Sequence, residues 1–321
     1  RRLRRRGGPR PGDAARPLAM TGPRAGDTLL NLGTPWSHHP HYLARLAQEK
    51  RRLGLRYAQL VYDVGPAWCG EEAGMSRLFA DWLRAMLPLA ALLLTISRYS
   101  GEDLRRLAAR QDLALPPLRR VRLGCGLPRV ALPPRRAALA PLLRRGGYLL
   151  TVGSLSPSKN HAAIVLALAL LAERGRALPP LLWLGRNIQR AELDALLARH
   201  PAVARQVLHL EGADDHDLAL AYAHCRLTIF PSRFEGYGLP VAESLAFGKV
   251  CLASNACSIP EAGGEFADYF APDDPAALAA LLERYLDEAA LAAREAEIRD
   301  DHRPTTWQET CRQLYAALET G

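Results

Sequence analysis

The chain lacks several features that mark common protein classes. It contains six cysteines but no C-x-x-C pair, and several stand in apolar runs, which favours reduced core cysteines over a zinc site or a disulfide framework. Its most apolar run, residues 86–96, is about half the ~20 residues that a membrane-spanning helix needs, and Pro88 interrupts it. The composition therefore indicates neither an integral membrane protein nor a metal-stabilised small domain, and we expect a cytoplasmic protein.

Lysine is also scarce, because only Lys50, Lys159 and Lys249 accompany the arginines, and the positive charge is unevenly placed. Residues 1–24 hold eight arginines and one aspartate, so this segment accounts for +7 of the net charge of +9 and the other 297 residues carry only +2. A segment of Gly, Pro and Arg cannot bury enough apolar surface to fold. We expect a disordered tail over residues 1–24, weakly attracted to anionic lipid, and no nucleic-acid-binding face.

Strand and helix patterns alternate in two series, which predicts an α/β protein with two Rossmann-like parallel-sheet domains. The first domain is predicted over residues 25–126 and the second over 147–321, joined by a Pro- and Arg-rich linker at 127–146. The predicted strands are 28–32, 57–62, 91–96 and 121–123 in the first series, and 148–152, 181–184, 207–210, 227–230 and 250–253 in the second.

Two carboxylates eight positions apart, Glu235 and Glu243, stand on either side of a glycine-rich turn. The run 225–230 reads as a buried parallel strand and 239–247 as the helix that follows it. Ligands of open α/β sheets bind at the carboxyl ends of the strands, where helix N-termini favour phosphate. The pattern predicts a sugar-nucleotide site in which Glu243 accepts hydrogen bonds from ribose hydroxyls and Glu235 faces the sugar.

This arrangement resembles the Glu-x7-Glu motif of retaining glycosyltransferases of the GT-B fold, family 4, which includes many bacterial mannosyl- and rhamnosyltransferases. Two further segments are similar to that family. Residues 148–161 look like its strand, glycine and basic diphosphate loop, and 248–255 continue into 258–263 as the family does. The resemblance extends from about residue 147 to the end. It implies two domains facing a cleft, the first of them truncated here, with the last helix, around 307–318, crossing back to the first domain.

The resemblance also implies roles for individual residues. It places the first acid, Glu235, beside the donor sugar and the second, Glu243, on the ribose, with the diphosphate on Lys159. Arg186 either adds a second positive charge or is a solvated residue at a helix start. The remaining candidates for donor binding are Gly153, Ser154, Gly236, Tyr237, Gly238 and Leu239.

Two departures from the family bear on catalysis. The glycines near the N-terminus follow no strand, so they do not supply the family's glycine-rich donor loop, and we expect either a lost N-terminal fragment or a shortened member. Where the family often has His-Asp, this chain has Tyr62-Asp63. A phenol with a pKa near ~10 is a poor proton shuttle at neutral pH. Tyr62, Asp63 and Glu235 are the candidate catalytic residues, and we expect donor binding with slow or absent transfer.

Two segments imitate metal sites. Asp215-His216-Asp217 has the Asp-x-Asp form, but it opens a predicted helix, where carboxylates act as N-caps. The segment 36–41 holds three histidines without a Cys or an acid at ligand spacing, which fits an acceptor-side loop or a structural turn. We expect no metal and no cofactor, with the negative charge of the leaving group stabilised by Lys159 and a helix N-terminus.

Three functions compete. The leading one is a retaining transfer of a hexose, from GDP-mannose or a related nucleotide sugar, to a saccharide or lipid-linked saccharide in surface polysaccharide synthesis, at the inner face of the membrane. The second is a catalytically weak or inactive nucleotide-sugar-binding fragment or subunit. The third, a nucleotide-sugar epimerase of the same fold, needs additional acids and histidines around the sugar, and we do not find them.

Overall fold

A computed structural model of the chain describes residues 22–33, 41–68, 73–127, 133–188 and 190–320. Most of the arginine-rich N-terminal segment lies outside the described residues. So do residues 34–40, which hold two of the three histidines of the predicted acceptor-side loop.

The first sheet has four parallel strands in the order β1-β2-β3-β4. The strands are Thr28–Asn31 (β1), Arg56–Val61 (β2), Leu92–Thr95 (β3) and Leu118–Arg120 (β4). The helices of this part are Tyr42–Leu53 (α1), Gly65–Trp68 (α2), Ala73–Met86 (α3) and Arg98–Arg110 (α4). Strands β2 and β3 are almost wholly buried, as expected of parallel strands covered on both faces.

The fourth strand differs from the prediction. The sequence predicts a strand at 121–123, but β4 ends at Arg120. Val121 still donates its N–H to the carbonyl of Thr95 at 2.8 Å. The next residue, Arg122, bonds instead to the last helix of the chain: its N–H donates to the Gln313 side-chain oxygen (2.9 Å), and its carbonyl accepts from the Thr310 hydroxyl (2.9 Å). The prediction of a strand at 121–123 is therefore wrong, because tertiary contacts take these residues out of the sheet.

The second sheet has six parallel strands in the order β10-β9-β8-β5-β6-β7. Its strands are Leu149–Val152 (β5), Leu181–Leu184 (β6), Val207–Leu210 (β7), Leu227–Phe230 (β8), Cys251–Ser254 (β9) and Asp268–Phe270 (β10). Strands β5 and β8 are neighbours, and the chain proceeds in opposite directions from this pair. Such a reversal opens a crevice at the carboxyl ends of the two strands.

Helices cover both faces of the second sheet. The helices after β4 are Ala140–Arg145 (α5), His161–Glu173 (α6), Arg190–Arg199 (α7), Pro201–Ala204 (α8), Asp215–His224 (α9), Leu239–Ala246 (α10), Ile259–Gly263 (α11), Pro275–Arg284 (α12), Glu288–Asp301 (α13) and Trp307–Thr320 (α14), of which α14 packs elsewhere. Helix α6 packs against α12 and is apolar around most of its circumference, since it lies between the sheet and its neighbours. The predicted strands 181–184, 207–210 and 227–230 agree with β6, β7 and β8, whereas the short edge strand β10 was not predicted.

Part of the predicted linker belongs to the packed structure. Leu139 and Leu143 are buried in a hydrophobic cluster with Tyr148 and Leu220. Helix α5 therefore covers the second sheet, so the connection over 127–146 ends in an ordered, packed helix.

The final helix, α14, leaves the second sheet and packs against the first. Leu314 and Leu318 lie against the buried Leu60 and Leu94 of β2 and β3. The chain before α14 passes so close to Gly124 that a Cβ there would lie 2.5 Å from the backbone nitrogen of Trp307. This packing corresponds to the crossing that the resemblance implies.

Within the described part of the chain, no helix combines the length and apolar character needed to cross a bilayer.

The described cysteines differ in their exposure to solvent. Cys125, Cys225 and Cys251 are buried, Cys257 is half-buried and Cys311 is exposed.

Candidate functional site

The predicted diphosphate loop follows β5 at the point where the strand order reverses. Gly153 lies directly after β5, and a Cβ on it would be 3.7 Å from the side chain of Lys159. Gly185, after β6, approaches still more closely, because a Cβ there would lie 2.0 Å from the carbonyl oxygen of Gly153. Two glycines therefore let neighbouring strand ends meet beside the lysine. Ser154, the next residue, is half-buried in the same loop.

The loop after β8 brings the second part of the site to the same crevice. Gly238 precedes α10 with φ at 103°, a left-handed conformation that a residue with a side chain adopts only with strain. The turn places the start of α10, at Leu239, by the carboxyl ends of the strands. Pro240 has no N–H and Val241 donates its own to the Gly238 carbonyl at 3.0 Å, so the Leu239 N–H is the group without a partner in the helix, at the end that carries the partial positive charge.

The two parts are joined by an ion pair between Lys159 and Glu235. The Lys159 ammonium contacts Oε1 of Glu235, and the two side chains are only 24% and 14% exposed. The ammonium also lies 5.7 Å from the centre of the Phe230 ring. The Glu235 main chain is held by Ser258, whose hydroxyl donates to its carbonyl at 2.8 Å. The structure therefore places the lysine of one loop and the first acid of the other in direct contact.

Tyr62 and Asp63 lie on the opposite side of the crevice, at the end of β2. A Cβ on Gly236 would be 2.8 Å from the Tyr62 carbonyl oxygen and 3.0 Å from the Asp63 Cβ, so the glycine allows the two sheets to meet here. Asp63 accepts a hydrogen bond from the Gly65 N–H at 2.7 Å. Burial raises the pKa of Asp63, and the nearby charge of Glu235 raises it further. The Tyr62 hydroxyl donates to the carbonyl of Leu32 at 2.8 Å.

Glu243, the second acid of the motif, lies inside α10 and is 8% exposed. Its Oε2 accepts a hydrogen bond from the Tyr222 hydroxyl at 2.9 Å. Burial raises the pKa of Glu243 to about 7, although the Tyr222 hydrogen bond opposes that rise. A carboxyl with this pKa is divided between its protonated and ionised forms at neutral pH.

Two predicted donor-binding residues, Tyr237 and Arg186, have side chains outside the Lys159–Glu235 contact. The Tyr237 ring is buried in the apolar cluster between the sheets, together with Leu60, Leu94 and Ala242, so its side chain faces the first sheet. Tyr237 can reach a donor only through its backbone. The Arg186 side chain is exposed after β6, and no contact with Lys159 or Glu235 accompanies it among the described residues. Only its backbone carbonyl takes part in the loop, by accepting from the Leu155 N–H at 2.8 Å.

Two serines at the start of α4 join the two sheets. Ser97 is the N-cap of α4 and accepts a hydrogen bond from the Ser100 N–H. Its hydroxyl donates to the Gly236 carbonyl at 2.7 Å. The Ser100 hydroxyl lies 3.0 Å from both the Gly236 and the Tyr62 carbonyl oxygens. No pattern in the sequence predicts these contacts, because the partners of each serine are distant along the chain.

Glu261 is a further residue that sequence reasoning missed. Its carboxylate accepts from the N–H groups of Arg98 (2.9 Å) and Tyr99 (2.8 Å), the first residues of α4. The Arg120 guanidinium lies 3.3 Å from the same carboxylate. A carboxylate at a helix N-terminus is stabilised by the unpaired N–H groups and the helix dipole. Glu261, on α11 beside the glycine-rich loop, therefore fixes that loop against the first sheet.

The Asp-x-Asp segment forms the first turn of α9, and the cap is the aspartate before it. Asp214 caps α9 by accepting from the Asp217 N–H. Asp217 is buried and accepts from the Arg135 and Arg136 N–H groups at 2.7 and 3.2 Å. Across the residues that the structure describes, no group of three or more His, Cys, Asp or Glu side chains could hold a metal ion.

Comparison with known proteins finds similarity to glycosyltransferases. Residues 143–299 match the family described as Glycosyl transferases group 1. The chain is 28% identical over 226 residues to O-antigen chain mannosyltransferase B of Escherichia coli, which covers 68% of this chain and 58% of that protein. It is also 28% identical over 285 residues to the serotype-specific mannosyltransferase WbdA of Escherichia coli, covering 84% of this chain and 34% of that protein. The chain thus spans only part of the length of these relatives.

Solved structures show the same fold. The chain superposes on WaaG, a glycosyltransferase involved in lipopolysaccharide biosynthesis, with a TM-score of 0.66 and 17% identity, covering 90% of this chain and 84% of that one. It superposes on Alr3699/HepE of Anabaena in complex with UDP with a TM-score of 0.65 and 16% identity, covering 92% and 79%. The fold is therefore the GT-B fold, as predicted. The segment similar to the group 1 glycosyl transferases, residues 143–299, contains the second sheet.

Proposed function

We propose that the chain is a hexosyltransferase that takes a sugar from a nucleotide sugar and transfers it, with retention of anomeric configuration, to a saccharide acceptor in surface polysaccharide synthesis. The observation that carries this proposal is the meeting of Lys159, Glu235 and the N-terminus of α10 at the crevice between β5 and β8. Fixed positive charge there suits a diphosphate, and the adjacent carboxylate suits sugar hydroxyls.

The chemistry follows from these positions. Cleavage of the bond between the anomeric carbon and the diphosphate builds positive charge on the sugar and negative charge on the leaving oxygens. The Lys159 ammonium and the N-terminus of α10 are placed to stabilise the leaving charge. Glu235 binds the donor sugar, and Glu243 accepts from the ribose hydroxyls. Tyr62 and Asp63 lie on the acceptor side of the crevice.

The donor and acceptor are assigned by class. The mannosyltransferase relatives support mannose as the sugar, with GDP-mannose as the proposed donor. The nucleotide is a substrate, and we propose that no cofactor and no metal takes part. The proposed acceptor is a saccharide or a lipid-linked saccharide. We further propose a cytoplasmic location with weak peripheral contact at the inner face of the membrane.

Calorimetric titration with a panel of nucleotide sugars, with hydrolysis of each donor followed in parallel, tests the proposal. One donor is expected to bind with clear preference. A Lys159→Ala variant is expected to bind the matching nucleoside diphosphate at least ~10-fold more weakly, because a charge-assisted contact with phosphate contributes ~1.5–3 kcal/mol. Lys249→Ala is the matched control, since Lys249 pairs with Glu295 at the opposite end of the strands. Equal nucleotide affinity in the two variants would remove Lys159 from the site.

A second candidate function is nucleotide-sugar binding without efficient transfer. The observation that favours it is Tyr62, which stands where the family often has histidine and whose hydroxyl is committed to the Leu32 carbonyl. Under this alternative the chain binds donor through its C-terminal half, while product formation with an acceptor panel stays at the level of spontaneous hydrolysis. Robust transfer by residues 1–321 would refute it.

A further inference from the structure

The free site already contains a partner for its cationic group. The Lys159 ammonium contacts the Glu235 carboxylate, and both side chains are largely buried. An ion pair with little solvent access is screened less by water and salt than a surface pair. A diphosphate that binds Lys159 must therefore compete with Glu235 for the same ammonium.

The surroundings of Glu235 make this competition strong. Asp63 faces Glu235 across the crevice, and the charge of Glu235 contributes to the raised pKa of Asp63. Two carboxyl groups thus stand close to a single described ammonium. When a phosphate takes the ammonium, Glu235 loses its partner while remaining largely buried. An unpaired buried charge is costly unless new hydrogen-bond donors reach it.

A sugar on the diphosphate supplies such donors. Hexose hydroxyls donate hydrogen bonds to a carboxylate, so a nucleotide sugar compensates Glu235 for the loss of Lys159. A nucleoside diphosphate without the sugar brings negative charge to the loop and no donor for Glu235. The nucleotide sugar therefore leaves the Glu235 carboxylate hydrogen-bonded, whereas the nucleoside diphosphate leaves it without a hydrogen-bond donor.

We propose that Glu235 discriminates between donor and product by exchanging its partner, from Lys159 in the free site to the sugar hydroxyls in the donor complex. After transfer the sugar leaves Glu235, and re-formation of the Lys159–Glu235 ion pair expels the nucleoside diphosphate. This inference rests on the proposed function of the site. It gives Glu235 a role in product release in addition to the contact with the donor sugar.

The test is a calorimetric comparison of the chain of residues 1–321 and its Glu235→Gln variant, with GDP and UDP and with the corresponding nucleotide sugars. The variant is expected to bind the nucleoside diphosphate more tightly than the parent, on the order of tenfold, because Lys159 is freed. The affinity for the nucleotide sugar should rise less than this or fall. The ratio of nucleotide-sugar affinity to nucleoside diphosphate affinity is therefore lower in the variant than in the parent. Glu283→Gln removes one carboxylate that pairs with Arg174 and Arg176, remote from the loop, and controls for net charge.

A double-mutant cycle identifies the cause of the tighter nucleoside diphosphate binding expected in Glu235→Gln. If Glu235 acts through Lys159, the tightening should largely vanish when Glu235→Gln is combined with Lys159→Ala. A gain that persists in full without the lysine would show direct repulsion by the carboxylate and would overturn the exchange. Glu235→Ala, with the same expectation, serves if the glutamine variant folds poorly.

The failure of this inference is distinguishable from failure of the proposed function. Unchanged or weaker nucleoside diphosphate binding in Glu235→Gln, together with weaker binding in Lys159→Ala, overturns the exchange and leaves the phosphate role of Lys159 intact. If neither variant changes nucleotide affinity, the loop is not the diphosphate site. Both the proposed function and the exchange then fail.

Discussion

Replacement of the ribose-binding candidate Glu243 by glutamine is expected to stabilise the fold while weakening nucleotide binding. Glu243 lies inside α10 at 8% exposure, and its described polar contact is the Tyr222 hydroxyl. Glutamine has nearly the same shape and can still accept from that hydroxyl. The substitution thus removes one charge and little else.

The magnitude follows from the pKa. Burial raises the pKa of Glu243 from 4.5 to about 7, so the folded protein keeps a proton that the unfolded chain releases between these values. Stability therefore falls as the pH rises through this window, and the cost of the ionised carboxylate is complete above pH 7. Each tenfold change in an ionisation equilibrium corresponds to about 1.4 kcal/mol, so that cost is roughly 3 kcal/mol.

Urea unfolding at two pH values measures this effect. At about pH 8 we expect Glu243→Gln to unfold at a higher urea concentration than the parent with an unchanged slope, and near pH 4.5 we expect the two midpoints to converge. Glu283→Gln is a control of opposite sign, because hydrogen bonds from Arg176 and Arg174 lower the pKa of Glu283. That variant should lose stability at the higher pH. Equal destabilisation of Glu243→Gln at both values would refute the assignment of a buried, destabilising carboxylate.

The same substitution tests function. An ionised carboxylate is a better acceptor for ribose hydroxyls than a neutral amide, since hydrogen bonds to charged groups are roughly twice as strong. We therefore expect weaker nucleoside diphosphate binding in Glu243→Gln at pH 8, and parent affinity that rises with pH through about 7. A variant that is more stable and binds as tightly as the parent would exclude Glu243 from the ribose site.

Two further predictions concern the contact between the sheets and the metal. Glu261→Gln is expected to speed amide hydrogen exchange in the first turn of α4 about tenfold or more, because bonds to a charged acceptor contribute ~1.5–3 kcal/mol, while nucleotide affinity changes less than about twofold. Protection equal to that of the parent would argue against Glu261 as an anchor of α4. Nucleotide binding, and any transfer, should survive a chelator; loss of either that Mg²⁺ or Mn²⁺ restores would revive Asp215-His216-Asp217 as ligands.

Local patterns predicted those parts of the fold that local physics controls. The strands 181–184, 207–210 and 227–230 were predicted at their observed bounds because short apolar runs between turn residues are typical of buried parallel strands. Strand β4 was misplaced because Arg122 bonds to two residues of α14 that lie 188 and 191 positions further along the chain. No local pattern contains that contact.

The candidate site was predicted residue by residue, but its pairings were not. Lys159 and Glu235 each follow from a strand end and a glycine-rich turn, yet their ion pair joins residues 76 positions apart. Tyr237 stood in the motif as a donor-binding candidate, and the motif did not predict that its ring packs in the apolar cluster between the sheets. Glu261 was part of a recognisable segment without a role, because its partners lie about 160 positions away.

The sequence by itself determined the class of fold, the two acids and the lysine, since strand periodicity, glycine turns and charged residues at strand ends are local properties. Only the tertiary structure decided which of these groups touch. The adjacency of β5 and β8 places Lys159 on Glu235, and the seating of Gly236 against Tyr62 and Asp63 brings the first sheet to the same point. These contacts depend on which hydrophobic faces pack together, and that packing involves residues far apart along the chain.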